Sequence, residues 1–161
     1  MIAAIILAAG QSKRMGQPKM LLPWGQGTVL THVISVFREA GIEDILVVTG
    51  GVKEQVDGLV SGLGVRTVFN DAFQTGEMLS SIQCGIRAIT PPPLSQKERG
   101  AAVLIGLGDQ PQVQERSVRM VCEAFRVLEE GVARNPSDVD VAMVLGTGFP
   151  DFRGGVVKYA R

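Results

Sequence analysis

The amino-acid sequence predicts an α/β fold of three layers, a mostly parallel, doubly wound sheet with helices on both faces. Three observations predict it. Short apolar runs alternate with stretches of helical apolar spacing, as strands alternate with crossover helices. The first run, IAAIIL at 2–7, is apolar throughout, which suits a strand buried on both faces. Right-handed crossovers in two linked halves then give the strand order 3-2-1-4.

Each element has its own signal. Residues 2–7 form strand 1. Residues 28–40 carry Val29, Leu30, Val33, Ile34 and Phe37 at helical spacing, with Thr28 as N-cap and Gly41 as the stop. Residues 45–48 form strand 2, closed by Thr49-Gly50-Gly51, and a short helix follows at 52–60. Strand 3 runs over 65–69 and ends at Asn70. A polar loop leads into a helix over 78–89. The stretch TPPPLSQKERG at 90–100 is a surface loop, because consecutive prolines donate no backbone hydrogen bonds. Residues 101–105 form strand 4, ending in Gly106-Leu107-Gly108-Asp109, and an amphipathic helix spans 114–130.

Composition narrows the function. The 161 residues suffice for one domain with a real core, and apolar residues make up 45% against 5% aromatics, so that core is aliphatic. Sixteen basic and sixteen acidic residues balance, which argues against nucleic acid or an anionic membrane as partner. No apolar run reaches the roughly 20 residues of a membrane span. The first ten residues lack a basic leader, so they read as a strand and not as a signal peptide. Cys84 and Cys122 form no metal-ligand pattern and read as reduced thiols of a cytoplasmic protein.

In the order 3-2-1-4 the chain reverses between strands 1 and 4, and ligands bind beyond the carboxyl ends of strands at such a point. The loops after Leu7 and after strand 4 meet there. Ala8, Ala9 and Gly10 allow close approach to the backbone, whose N–H groups can cradle an anion. Lys13, Arg14 and Lys19 add positive charge suited to a triphosphate. The spacing is not a Walker A loop: five residues separate Gly10 from Gly16, and no Ser or Thr follows Lys19. The bland alternative is a surface turn with solvated charges. In the second loop Asp109 would repel a phosphate unless Mg²⁺ lay between them. Its own bland alternative is a helix N-cap or turn residue. Together the loops suggest metal-assisted attack on a nucleotide phosphate.

The motifs also carry a resemblance. LAAGQSKRMGQPK at 7–19 resembles the nucleotidyltransferase signature Leu-Ala-(Ala/Gly)-Gly-x-Ser-x-Arg-Met-Gly-x-x-Lys. NDAFQTGEMLSSIQCGI at 70–86 resembles that family's second substrate loop, and GLGDQP at 106–111 its metal-binding turn. Covering about residues 1–130, the three resemble the MobA-like NTP transferases. Ala9 and the Gly-Asp-Gln-Pro turn resemble the molybdenum cofactor cytidylyltransferase branch more than the guanylyltransferase branch.

The resemblance implies a nucleotide-diphospho-sugar-transferase-like, Rossmann-like fold. It implies that the backbone of Leu7, Ala8, Ala9 and Gly10 contacts the nucleotide and that Arg14 and Lys19 neutralise the triphosphate and the reacting phosphorus. Gly76, Met78, Ser80 and Ser81 would lie in a loop facing the base, ribose or acceptor, and Asp109 would hold Mg²⁺. The implied reaction moves CMP from CTP to the phosphate of molybdopterin and releases pyrophosphate. Another base or acceptor, as in guanylyl or sugar-phosphate transfer, stays open, as does a non-catalytic chaperone that carries cofactor to a molybdoenzyme.

Four further residues read as ordinary. His32 is a surface or boundary residue of its helix, and Trp24 a packing residue that could also cover the loop mouth. Asn70 reads equally as a turn former or a ligand contact, and Glu77 could favour a helix N-terminus. Beyond about Glu130 the resemblance ends. The family's Arg-Gly-His-Pro segment has no counterpart in residues 131–161, although 139–145 could form a strand. The expectation is one domain over 1–161 whose tail is atypical, truncated or frameshifted.

Overall fold

The structure, a computed structural model, describes residues 2–10, 16–89 and 102–139. The chain divides into two compact units, Met1–Val113 and Gln114–Arg161.

The first unit is built on a four-stranded sheet of β1 (Ile2–Ala8), β4 (Ile45–Thr49), β5 (Arg66–Phe69) and β6 (Ala102–Leu107). The order is β5-β4-β1-β6 and every pairing is parallel. This is the 3-2-1-4 arrangement expected from the crossover rule. Strand β4 is buried at all five positions, and Ile5 and Ile6 of β1 are fully buried, because these two strands are flanked on both sides. Strand β6 is an edge of the sheet among the described strands, and Val103 and Ile105, on one of its faces, stand exposed, so the strand that leads to Asp109 is only partly buried.

After β1 lie a short turn and a small hairpin that the sequence did not announce. A 3₁₀ turn covers Lys19–Leu21, and β2 (Pro23–Trp24) pairs antiparallel with β3 (Gly27–Thr28). Gly25 turns this two-residue hairpin at φ +58°, in the left-handed region glycine adopts without strain. The exposed Trp24 ring rests 5.9 Å from that of His32.

Helix α1 (Val29–Glu39) starts where expected. The Thr31 N–H donates to Thr28 Oγ1 at 3.3 Å and the Thr28 N–H donates to Thr31 Oγ1 at 2.9 Å, a reciprocal capping box. It stops at Gly41, φ +88°, where the Gly41 and Ile42 N–H groups donate to the carbonyls of Arg38 and Phe37. Helices α2 (Lys53–Val60) and α3 (Glu77–Ile89) follow β4 and β5.

Two glycines mark where helices meet opposite faces of the sheet. A Cβ on Gly106 of β6 would lie 2.7 Å from the Phe37 ring of α1, and Gly106 pairs with Ile6. A Cβ on Gly85 of α3 would lie 2.6 Å from Ile5 Cγ2 and 3.0 Å from Val48 Cγ2. Ile5 and Ile6 are successive residues of one strand and point to opposite faces. The helix–sheet–helix layering is therefore fixed residue by residue.

The second unit contains α4 (Glu115–Glu129), which buries Val118, Cys122 and Ala124 and pairs Arg119 with Glu115 and Arg126 with Glu123 on its surface. Gly131, φ +70°, follows it. Ala124 and Val139 form a small cluster with Val127, Leu128 and Ala133. Residues 136–139 form a helical turn, whose Ser137 and Asp138 N–H groups donate to Asn135 Oδ1. Val139 is thus helical, which corrects the strand expected to begin there, and residues 140–145 lie outside the described residues.

Candidate functional site

All four strands of a parallel sheet point their carboxyl ends the same way, so the turns after β1 and β6 emerge side by side. Leu7 pairs with Leu107, and the Gly108 N–H donates to the Leu7 carbonyl at 2.9 Å. That bond extends the ladder one step past β6 and sets Asp109 beside the turn at Ala9 and Gly10. A Cβ on Gly108 would lie 3.0 Å from the Leu7 oxygen, so a bare backbone is needed for this approach.

The first turn is held from its other flank by Gly50, just past β4. A Cβ there would lie 2.6 Å from the Ala9 carbonyl oxygen and 2.9 Å from Ala9 Cα. Backbone atoms cannot yield as side-chain ends can, so glycine at 50 lets the Ala9 turn fold over the end of β4.

These turns border a cavity of about 300 Å³ lined by Leu7, Ala9, Gly10, Met20, Phe73, Met78, Ser81, Leu107 and Asp109. Six expected site residues therefore share one wall: Leu7, Ala9, Gly10, Met78, Ser81 and Asp109. The other expected residues stand elsewhere. Ala8 is the last residue of β1 and is fully buried. Lys19 is exposed in the 3₁₀ turn, immediately before the lining residue Met20. Ser80 borders a neighbouring concavity of about 380 Å³, together with Asn70, Asp71 and Arg87. Arg14 and Lys13 lie outside the described residues.

Met78, Ser80 and Ser81 belong to the start of α3, so the loop expected to carry them ends at Gly76. Gly76 serves the fold directly. Its N–H donates to the Ala72 carbonyl at 2.8 Å, and a Cβ would lie 2.3 Å from Ser80 Cβ. Sequence reasoning missed Met20, Phe73 and Leu107. Phe73 and Leu107 sit inside quoted motifs and Met20 directly follows one, yet no spacing rule separates a lining residue there from a core one.

Asn70 organises the polar side of this region. Only 2% exposed, it follows β5, and its N–H donates to the Thr49 carbonyl at 2.9 Å. Its Oδ1 accepts from the Ala72 N–H at 3.1 Å, and its Nδ2 donates to Ser80 Oγ at 2.9 Å and Ser81 Oγ at 3.0 Å. The turn-forming reading of Asn70 matches these bonds, whereas Asn70 itself does not line the cavity; Ser81, to which its amide donates, does.

Asp109 is half-buried and is the one carboxylate among the described lining residues. Among the described residues, no three His, Cys, Asp or Glu side chains cluster to hold a metal. The described residues thus form no all-protein cage, but a single carboxylate on a cavity wall fits Mg²⁺, which binds through one or two carboxylates plus phosphate oxygens. Neither Cys84 nor Cys122 is among the described lining residues, and burial pushes both thiols above their usual range. No helix among the described residues is long and apolar enough to cross a membrane.

Comparison with known proteins bears on the same residues. The family model of the MobA-like NTP transferase domain matches residues 4–146. The chain is 33% identical over 128 residues to the bifunctional protein GlmU of Syntrophomonas wolfei, covering 78% of this chain and 26% of that protein. It is 41% identical over 75 residues to the choline-phosphate cytidylyltransferase of Streptococcus pneumoniae, covering 44% of this chain and 33% of that one. Among solved structures, a nucleotidyl transferase from Methanothermobacter superposes with a TM-score of 0.61 at 29% identity, over 76% of this chain and 57% of the other. The chain thus spans about a quarter to a third of the curated relatives it matches.

Proposed function

The chain belongs to the MobA-like NTP transferase family, and from that premise we propose that it transfers a nucleoside monophosphate from a nucleoside triphosphate to a phosphate-bearing acceptor. The specific reading is CMP transfer from CTP to the terminal phosphate of molybdopterin. One observation carries the transfer reading: the turn of small residues at Ala9–Gly10 and Asp109 line the same cavity; the choice of CTP and molybdopterin rests on the resemblance carried by Ala9 and the Gly-Asp-Gln-Pro turn. A triphosphate needs both a bare backbone for close approach and a means of placing its charge beside an acid.

The acceptor phosphate is ionised at neutral pH, so no side-chain nucleophile is required. Its oxygen attacks the α-phosphorus, a new P–O bond forms, and the bond to the β-phosphate oxygen breaks to release pyrophosphate. Catalysis is then positioning and electrostatic stabilisation. Leu7, Ala9 and Gly10 would seat the nucleotide, and Lys19 with Arg14 would balance its charge. Asp109 would hold Mg²⁺, which neutralises phosphate oxygens and stabilises the leaving group. The apolar side chains of Leu7, Met20, Phe73 and Leu107 would limit water at the reacting centre.

The name of the pneumococcal relative supports CTP as donor and favours a second reading in which the acceptor is another phosphate monoester. Pyrophosphate release with Mg²⁺ and CTP, measured with molybdopterin and separately with phosphocholine, decides between them. Repeating the assay with GTP and ATP reads the base preference. Absence of pyrophosphate with every donor and both acceptors would refute the transfer reading.

A further inference from the structure

We infer that Asn70 is a positioning residue that makes the Ser81 hydroxyl a hydrogen-bond donor toward an oxygen of the bound nucleoside triphosphate. The inference rests on the reading of the cavity as a nucleotide site and extends it to a residue outside the wall.

The argument is a count of protons. An asparagine side chain has one accepting oxygen and two donating N–H groups. The Ala72 N–H donates to Oδ1, which fixes which end of the amide is which. The two Nδ2 protons are then both committed, one to Ser80 Oγ and one to Ser81 Oγ. The Ser81 oxygen is therefore the acceptor in that bond, and its own proton points elsewhere. No described residue accepts that proton. Ser81 is 5% exposed and lines the cavity, so the remaining direction is toward the ligand. A buried hydroxyl without an acceptor is costly, and an acceptor oxygen on the ligand removes that cost. Asn70 itself is held by backbone bonds from β4's end and by the turn at Ala72, so the amide has little freedom to rotate. Nucleotide oxygens in phosphate, ribose and base carbonyls all meet this requirement.

Asn70→Asp tests the polarity directly. A carboxylate accepts where the amide donates, so the Ser81 proton turns back toward residue 70 and the ligand loses its donor. Titration calorimetry with Mg²⁺ and CTP, and again with GTP, reads the effect. Ser81→Ala is expected to weaken binding of at least one nucleotide by roughly 5–30-fold, the effect of one lost hydrogen bond, in protein that circular dichroism shows to be folded at the titration temperature, although the Asn70 amide loses an acceptor and the melting midpoint falls. Asn70→Asp is expected to match it, and the double variant to be no weaker than Ser81→Ala alone, since both changes remove one bond. A purely structural role for Asn70 predicts losses that add. A loss shared by CTP and GTP puts the oxygen on the phosphates or ribose, and a loss confined to CTP puts it on the base; either supports the inference. Additive losses, or Ser81→Ala binding both nucleotides as tightly as the wild type, overturn it, and the second result needs no folded Asn70 variant. Wild-type protein that binds neither nucleotide overturns the nucleotide reading as well.

Discussion

Replacing Gly85 with alanine and, separately, Gly58 with alanine compares one chemical change at two helical positions. Gly58 lies in α2, exposed, and a Cβ there would meet nothing within 4 Å. Alanine should stabilise that helix by about 0.5–1 kcal/mol, because glycine loses more backbone freedom on folding. Gly85 gains the same propensity term, yet its new methyl would sit 2.6 Å from Ile5 Cγ2, 3.0 Å from Val48 Cγ2 and 3.2 Å from Ile5 Cδ1. Ile5 and Val48 are fully buried and β-branched, so each Cγ2 can move only by rotating χ1 into packed neighbours or by shifting its strand. Overpacking of this kind costs roughly 1–3 kcal/mol. The difference between the two variants cancels propensity and isolates that cost. Urea unfolding followed by circular dichroism should therefore place Gly58→Ala above the wild type and Gly85→Ala about 1–3 kcal/mol below Gly58→Ala. Equal stabilisation by both would mean that α3 does not pack on β1 and β4 as described.

Other perturbations test the site and its supports. Asp109→Ala and Lys19→Ala should each slow transfer by roughly 10²–10³ in a pyrophosphate-release assay, as for other lost transition-state contacts, and near-normal turnover in either would remove its assigned role. Thr28→Ala removes one half of the capping box and should cost about 0.5–2 kcal/mol in the same unfolding measurement. Burial, with the nearby Asp71 charge, pushes the Cys84 thiol up, and burial does the same for Cys122. Iodoacetamide labelling should thus be slow for both at pH 7.5 and accelerate only above about pH 9, Cys84 first; rapid labelling at neutral pH would contradict the environment described.

Much of this arrangement was legible in the sequence because the relevant signals are local. The apolar runs marked the four strands of the sheet, Thr28 and Gly41 bounded α1, and the crossover rule ordered the strands. That order alone brought the turns after Leu7 and before Asp109 together. What stayed hidden depends on contacts between distant residues. Gly85 and Gly106 look like weak points of a helix and a strand until Ile5 and Phe37 are seen against them. The hairpin at Pro23–Trp24 and Gly27–Thr28 is too short to show any alternation. Met20 is an apolar residue beside apolar residues and Phe73 a lone aromatic in a polar loop, and only folding places them on the cavity wall. The donor count at Asn70 likewise joins residues ten and eleven positions apart, which no sequence spacing rule connects.

Because the four described strands of the main sheet are all parallel, each has one working end and one end given over to support. The turns entering β4 and β5, around Gly41 and around Gly62 and Gly64, reach the sheet at the end away from the cavity. Lengthening them, or grafting a reporter dye or an affinity handle there, leaves the bond from Gly108 to Leu7 and the wall beside it undisturbed. The protein thus offers an engineer a side to hold it by while the other side is watched at work.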